Sequence, residues 1–532
     1  GGILADDMGL GKTLAVLALV LKLPPRRFSE NYRGRYAGGT LIVCPLSTMG
    51  NWEEQVVTHV RAQALSIHAY HGHTRCKNPK KLCHYDVVLT TFNVLQADTK
   101  LFQVPDDPYV SPLLAVRWHR VVLDEAHNIK ERRTISSIAA YSLHAERRWC
   151  LTGTPIQNRL DDLYSLLRFL HIAPVDNWRV WLTYIGAPFH KNVRALAADG
   201  EHMEEGNIGA NRVQRLMQSI CLRRMKRQID AKTNRSMIEL PPKFETVRWL
   251  NLAEGERRLY NMAEGIARNK FSNMSRNGTL LKNYIHILKI ILRLRQLCTH
   301  PRLWAISAPA GASVSAAAAR SVLTAAASSV SAASLASSVR SDHLLQQQLG
   351  DLPASRDNKD NVEDSYSELN RLCNEHDTST KIITLLSDID KIRKRAWFTD
   401  PCVVFSQWTT MLDLIEPLLS QQGIRFTRLD GKMQRQQRER NLYKFKHDSD
   451  IEVLLLSLRA GGVGLNLVHA THVFLMDAFW NPSVENQAID RIHRLGQNAP
   501  VTVTRYFIKN SIEEKIMMLQ RRKAKIVDIS LM

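Results

Sequence analysis

The sequence predicts an α/β chain made of two parallel-sheet lobes with helical insertions, and three observations carry that prediction. Short, continuously apolar runs recur in two separate sets, each run ending in small, polar or charged residues, as buried parallel strands with function at their carboxyl ends do. The first set opens on a glycine loop that leads into a strong helix former, "GGILADDMGLGKTLAVLALVLKL". A basic, helical stretch and then an abrupt Ala/Ser-rich tract separate the two sets.

In chain order, residues 1–5 are an apolar run, residues 6–11 a turn, and Lys12 opens the helix. Such a loop aims successive backbone N–H groups at one point, and the helix N-terminus adds the positive end of its dipole, so a polyphosphate settles there. Asp7, Met8, Gly9, Leu10 and Gly11 form the cradle, with the two glycines allowing close backbone approach. Lys12 reaches the outer phosphates, and the Thr13 hydroxyl is placed to ligate Mg²⁺. The loop departs from the strict phosphate-loop pattern in having Asp6 where a first glycine would stand. Apolar runs follow at residues 40–47, 86–92, 120–127 and 147–155. The third of these ends in Asp124 and Glu125, which leave a strand end in different directions. One carboxylate, Asp124, then holds Mg²⁺ directly or through water, while Glu125 aligns and polarises the water that attacks the γ-phosphate. His127, Thr152 and Thr154 lie where neighbouring strands end, either to sense the nucleotide or to close turns.

Residues 205–300 read as helical and basic, with "CLRRMKRQI" and "LKNYIHILKIILRLRQLC" the clearest pieces. Residues 307–341 are Ala/Ser low complexity, followed by a polar, acidic stretch to about residue 375. A helix with so few large apolar residues has little to bury, which predicts a mobile insertion. The second strand set falls at residues 402–408, 424–431, 451–462 and 472–480. Lobe one therefore spans 1–245, with a helical protrusion near its end. Lobe two spans 246–532, with a helical lead-in at 246–304 and the insertion at 305–375. In "ENQAIDRIHRLGQ", residues 485–497, a helix puts Gln487, Arg491 and Arg494 at i, i+4 and i+7 on one face, beside Asp490 and His493. That face is either a solvated basic surface or a lid over the nucleotide held by lobe one; the flanking "GGVGLNL" and "WNP" favour the lid.

With 532 residues, of which 44% are hydrophobic and 23% charged, the composition is that of a globular protein of two or more domains. The net charge of +21, from 72 Lys and Arg against 51 Asp and Glu, points to a polyanionic partner or to a merely basic surface, and only a motif separates the two. No apolar run is long enough to span a bilayer, and no charged leader precedes a short apolar core. The eight cysteines are scattered without a C-x-x-C pair, which predicts a reducing compartment and speaks against a disulfide framework. His71, His73, Cys76, Cys83 and His84 cluster in a polar loop, but their spacing fits no common zinc pattern.

Taken in order, "DDMGLGKT", "LIVCPLSTMGNWEEQ", "LDEAHNIK", "LTGTPIQNRLDDLYSLLRFL", "LRLRQLCTHP", "VVFSQW", "SLRAGGVGLNL" and "DAFWNPSVENQAIDRIHRLGQ" resemble the motif set of the Swi/Snf ATPases of helicase superfamily two. The match runs over nearly the whole chain outside the Ala/Ser tract. It is most similar to the branch of helicase-like transcription factor and the fungal DNA-damage-tolerance proteins. The resemblance implies two RecA-like lobes, ATP and Mg²⁺ as cofactors, and a nuclear motor that tracks along double-stranded DNA without fully separating its strands. Chromatin and stalled replication forks are the implied settings. It implies catalytic roles for Lys12, Glu125, Arg491 and Arg494, and places Gln487 in the ATP site. It further implies DNA contacts at Ser47, Thr48, Asn51, Trp52, Thr90 and Thr91 in lobe one, and at Ser406, Gln407, Arg459, Gly461, Gly462 and Trp480 in lobe two. These are mostly hydroxyls, amides and backbone N–H groups, which grip phosphates without reading bases; Trp52 and Trp480 equally suit a core. Many members of that branch carry a RING zinc module between "LRQLCTHP" and "FSQW", whereas this interval, up to the apolar run that opens on Cys402, holds Ala/Ser repeats and only Cys373, so ubiquitin-ligase activity is not expected. The family's adenine-reading glutamine segment would lie upstream of residue 1, which predicts a fragment. Two rivals stand beside the motor: an RNA helicase, suggested by the letters "DEAH", and a catalytically silent DNA-binding scaffold.

Overall fold

The computed structural model describes residues 1–24, 36–72, 75–76, 78–102, 111–156, 160–189, 208–226, 228, 240–276, 284–306, 359–395, 400–461 and 465–531. His73, the Ala/Ser tract at 307–341 and Gly462 lie outside the described residues, as does the side chain of Arg459.

Lobe one is built on seven strands, β1 (Gly2–Leu4), β2 (Tyr36–Cys44), β3 (Ile67–Ala69), β4 (Val87–Thr91), β5 (Val116–Asp124), β6 (His144–Leu151) and β7 (Cys221–Leu222). They pair in the order β3-β4-β2-β5-β6-β1-β7, all parallel. The four long apolar runs are β2, β4, β5 and β6 at the centre of the sheet, with helices over both faces; β6 is buried only at its carboxyl end, Cys150 and Leu151. Helix α1 (Lys12–Lys22) buries Val16, Leu17 and Val20 in one small core with Met49 and Trp52 of helix α2 (Leu46–His59). "CLRRMKRQI" is not the helix its composition suggests. Its first residues are β7, with Cys221 and Leu222 in register with Ile3 and Leu4, and the extended chain goes on pairing as Ala5 N donates to Leu222 O and Asp7 N to Arg224 O. An open sheet edge beside β1 supplies the hydrogen bonds a helix would otherwise make within itself.

Lobe two holds six further strands, β8 (Lys243–Leu250), β9 (Cys402–Ser406), β10 (Phe426–Leu429), β11 (Val453–Ser457), β12 (His472–Leu475) and β13 (Val501–Ile508), in the order β10-β11-β9-β12-β13-β8. The boundary expected between residues 245 and 246 falls inside β8, which pairs along its whole length with β13, from Lys243 beside Val501 to Leu250 beside Ile508. The helical lead-in therefore starts only at Glu254–Arg276. The acidic stretch before residue 375 also differs from expectation. It forms the Lys359–Asn374 helix, which buries Leu369 and Cys373 among Leu259, Tyr260, Leu297 and Trp304, while Tyr366 stacks on Trp304. Tyr366, Leu369 and Cys373 recur at helical spacing, and this apolar stripe is what holds an otherwise polar helix in place.

Candidate nucleotide site between the lobes

From Leu4 at the end of β1 the chain turns through residues 6–11 into α1. Gly11 is left-handed at φ 81° and caps the helix. Gly9, at φ 89°, is needed twice over, because a Cβ there would also lie 2.8 Å from Cβ of Arg494 in lobe two. Lys12 Nζ donates to the carbonyls of Asp6 at 2.7 Å and Asp7 at 3.2 Å. Burial lowers its pKa, opposed by the charges of Glu125, Asp124 and Asp6. Asp6, the residue that departs from the expected glycine, is fully buried and anchors the loop. Arg224 Nε lies 3.1 Å from both of its carboxylate oxygens, and Arg224 N donates to Oδ1 at 3.0 Å.

At the end of β5, Glu125 adopts a left-handed conformation, φ 49° and ψ 54°. Such a backbone is uncommon without glycine and marks functional turns. It aims Glu125 away from Asp124. Asp124 is fixed by two donors, Glu125 N to Oδ1 at 3.0 Å and the indole Nε1 of Trp52 to Oδ2 at 2.9 Å. Burial, and then the charge of Glu125, push its pKa up to about 6. Glu125 Oε1 meets Arg491 Nη2 of lobe two at 3.2 Å, and Oε2 lies 3.5 Å from His127 Nδ1. Burial drives the His127 pKa down to about 4, so the ring is neutral near pH 7. Thr152 accepts from Thr154 N at 3.2 Å, and its own N–H bonds Leu4 O, so this hydroxyl closes the turn after β6.

Lobe two contributes the Pro482–Ile489 helix and the turns that follow it. The single helix expected over 485–497 ends at Ile489. Beyond it the N–H groups of Arg491 and Ile492 bond three residues back, to Ala488 O and Ile489 O, and the carbonyls of Arg491 and His493 accept from Leu467 N and Lys226 Nζ outside the segment, so the chain runs on in turns. The turns nevertheless bring Arg491 to Glu125 and Arg494 over Gly9, and Gln487, at 7% exposure, lies on the preceding helix. Lys226 completes the junction. Its N–H bonds Asp7 Oδ2 at 3.1 Å, and its ammonium bonds Asp490 Oδ1 at 2.8 Å and His493 O at 2.7 Å. Neither Arg224 nor Lys226 stood out in the sequence; the only trace is the alternation of basic residues after an apolar pair in "CLRRMKR".

The donor set suits a magnesium-bound nucleotide. Buried Gln487 Nε2 and Arg494 Nε have no hydrogen-bond partner among the described residues, and Arg494 stands against Gly9 of the loop. Thr13 and Asp124 are the groups that would hold the metal. Elsewhere, no three His, Cys, Asp or Glu side chains converge to hold an ion among the described residues, and no described helix is long and apolar enough to cross a membrane.

The residues assigned to DNA divide by exposure. Thr48, Thr90, Thr91 and Ser406 are buried with their hydroxyls engaged inside the fold, on Pro45 O, Tyr70 O, Val94 N and Asp477 respectively. Trp52, at 1% exposure, is a core aromatic whose N–H serves Asp124, which leaves it no surface for DNA. Ser47, Asn51 and Gln407 keep partly exposed side chains, and Trp480 is half-buried with the guanidinium of Arg295 5.0 Å from its ring centre. Gly461 ends the short Leu458–Gly461 helix after β11.

The chain is also similar to known proteins over nearly its whole length. DNA repair protein RAD5A of Arabidopsis thaliana is 34% identical over 616 aligned residues, covering 99% of this chain and 58% of its own length. Helicase-like transcription factor CHR28 of the same plant is 30% identical, covering 99% and 72%. The Sulfolobus solfataricus SWI2/SNF2 ATPase core in complex with dsDNA aligns over 99% of this chain at 25% identity, with a TM-score of 0.35. The chain spans about half the length of the DNA repair proteins it matches. Residues 1–303 match the SNF2-related domain and residues 384–496 the helicase conserved C-terminal domain, and the chain therefore belongs to the SNF2-related family of helicase-like ATPases.

Proposed function

We propose that this chain is the motor of a nuclear, double-stranded-DNA translocase that hydrolyses ATP with Mg²⁺ and acts in DNA repair or on chromatin. The observation that carries the reading is the contact between Glu125 of lobe one and Arg491 of lobe two, because it makes the hydrolytic site a joint product of both lobes. Mg²⁺ held by Thr13 and Asp124 would neutralise charge on the phosphates. Lys12 and the loop N–H groups bind and orient the outer phosphates. Glu125 takes the proton of the attacking water, and Arg491 and Arg494 meet the charge that spreads over the transferring group. Gln487 adds a neutral donor.

DNA as the polymer is supported by the net charge of +21 and by relatives that carry the name DNA repair protein. Ser47, Asn51, Gln407 and Trp480 are the proposed contacts that keep some exposure; Arg459, Gly461 and Gly462 would add a cation and backbone donors. A grip on phosphates alone makes binding indifferent to sequence and steeply dependent on salt. The test is ATPase rate against duplex DNA, single-stranded DNA and RNA at fixed salt. Stimulation by duplex DNA, similar for unrelated sequences, is expected. Stimulation by RNA instead makes the chain an RNA helicase, and turnover that no polymer changes makes it a scaffold.

A further inference from the structure

We propose that Trp52 is a positioning residue for the magnesium-binding carboxylate, and that through it helix α2 ties the DNA-facing side of lobe one to the nucleotide site. The second half rests on the translocase reading above. A buried tryptophan commonly satisfies its N–H on a nearby backbone carbonyl, as Trp118 does on Leu113 O at 3.0 Å. Trp52 instead crosses 72 residues of sequence to donate to Asp124 Oδ2 at 2.9 Å. With Glu125 N on Oδ1, each carboxylate oxygen has one fixed donor, so the plane of the group is set and a further acceptor position on each oxygen stays open to a cation. The bond is charge-assisted and buried, the kind that holds geometry most firmly.

The ring is itself immobile. It sits at 1% exposure in the core formed by Val16, Leu17 and Val20 of α1 with Ile42 of β2 and Val122 of β5. The metal ligand is therefore referenced to the helix that begins with Lys12 and Thr13. Trp52 also shares α2 with the partly exposed Ser47 and Asn51, next to the latter and about a turn and a half from the former. A phosphate gripped at those positions displaces or stiffens α2, and a rigid two-ring side chain passes that change to Asp124 Oδ2.

Trp52→Phe keeps most of the ring and removes the N–H. The test measures binding of a fluorescent, non-hydrolysable ATP analogue as Mg²⁺ is titrated, with and without duplex DNA, beside thermal unfolding and DNA affinity. The expected result is a several-fold rise in the Mg²⁺ concentration giving half-maximal nucleotide binding. Metal-free nucleotide affinity and DNA affinity stay within error of wild type, and the variant still unfolds cooperatively, at a melting temperature lowered by the smaller ring. DNA lowers the Mg²⁺ requirement of the wild type and fails to lower that of the variant. In an Asp124→Ala background Trp52→Phe changes nothing further in the Mg²⁺ titration, since the carboxylate that the indole positions is already gone. Where phenylalanine fails to fold, benzothienylalanine at position 52 serves instead, as it keeps the two-ring shape without the N–H. An unchanged Mg²⁺ titration in a folded variant overturns the positioning role. A wild-type Mg²⁺ requirement that DNA leaves unmoved overturns the coupling. Wild-type turnover without any response to duplex DNA sinks the translocase reading separately.

Discussion

Glu125 is held on both sides, by its left-handed backbone and by Arg491 at 3.2 Å, and its remaining oxygen faces His127. Glu125→Gln keeps the shape of the side chain but cannot take a proton, so turnover should fall by about 10²–10⁴-fold while Mg²⁺-dependent nucleotide binding persists. Lys12→Ala should weaken binding as well; near-normal turnover in Glu125→Gln removes the base assignment. His300 makes a prediction about pH. It is fully buried, its Nδ1 accepts from Arg302 N at 3.1 Å, and burial, then the Arg302 charge, bring its pKa down to about 4. The folded state therefore binds fewer protons than the unfolded one between the ordinary histidine value and about pH 4. Its stabilising effect is complete above that window and is lost as pH falls through it. Urea unfolding should show about 2 kcal/mol less stability at pH 5 than at pH 7 from this group, and His300→Asn, which keeps an acceptor for Arg302 N, should flatten that slope. Lys12, Asp124 and Glu125 were legible in the sequence because their residue types and local spacing carry the chemistry. Trp52, Arg224 and Lys226 were not, because what defines them are partners 72, 218 and 264 residues away.

Among the elements, most strands read from sequence are central ones with unbroken apolar runs, as in β4 and β11, and the run at 424–431 is the edge strand β10. The edge strands β3, β7 and β8 escaped, as did the central β13, whose run "VTVTRYFI" is broken by polar residues. β8, "KFETVRWL", alternates polar and apolar residues with most side chains partly or fully exposed, and β7 spans two residues. The Lys359–Asn374 helix was hidden for a related reason: its acidic surface masks a stripe of three apolar residues, Tyr366, Leu369 and Cys373, that only its partners give meaning. This yields a paired expectation. Leu369 is fully buried against Leu259 and Trp304, so Leu369→Ala should destabilise lobe two by about 2–5 kcal/mol. Replacing residues 307–341 by a short Gly/Ser linker should cost almost nothing, because that tract has little apolar area to contribute. Denaturant midpoints of the two variants decide it, and a large loss from the linker replacement shows that the tract packs.

The whole molecule depends on contacts that neither lobe makes alone. Gly9 admits Arg494, Glu125 meets Arg491, and Lys226 holds the phosphate loop through Asp7 while its ammonium grips Asp490 and His493. Lys226 thus bridges the phosphate loop to the segment that carries the two arginines. On the proposed reading, duplex DNA laid across both lobes would favour this arrangement and so raise hydrolysis. Arginines that stabilise a transferring phosphoryl group contribute on the order of 10³–10⁵ in rate. Arg491→Ala and Arg494→Ala should therefore keep nucleotide and DNA affinity and lose DNA-stimulated turnover by a large part of that factor. Lysine should restore little at either site, because a point charge lacks the planar fork. The Lys226 ammonium bonds Asp490 and His493 O, so Lys226→Ala should lower the stimulated rate less and raise the DNA concentration needed to reach it, since closure then begins from a looser pair of lobes. The measurement is ATPase rate against duplex DNA concentration for the three variants, beside nucleotide binding without DNA. If both arginine variants keep full stimulation, the 485–497 segment is only a solvated basic face. If Lys226→Ala shifts the DNA curve while the arginine variants flatten it, closure and catalysis are separate duties carried by neighbouring residues of one interface.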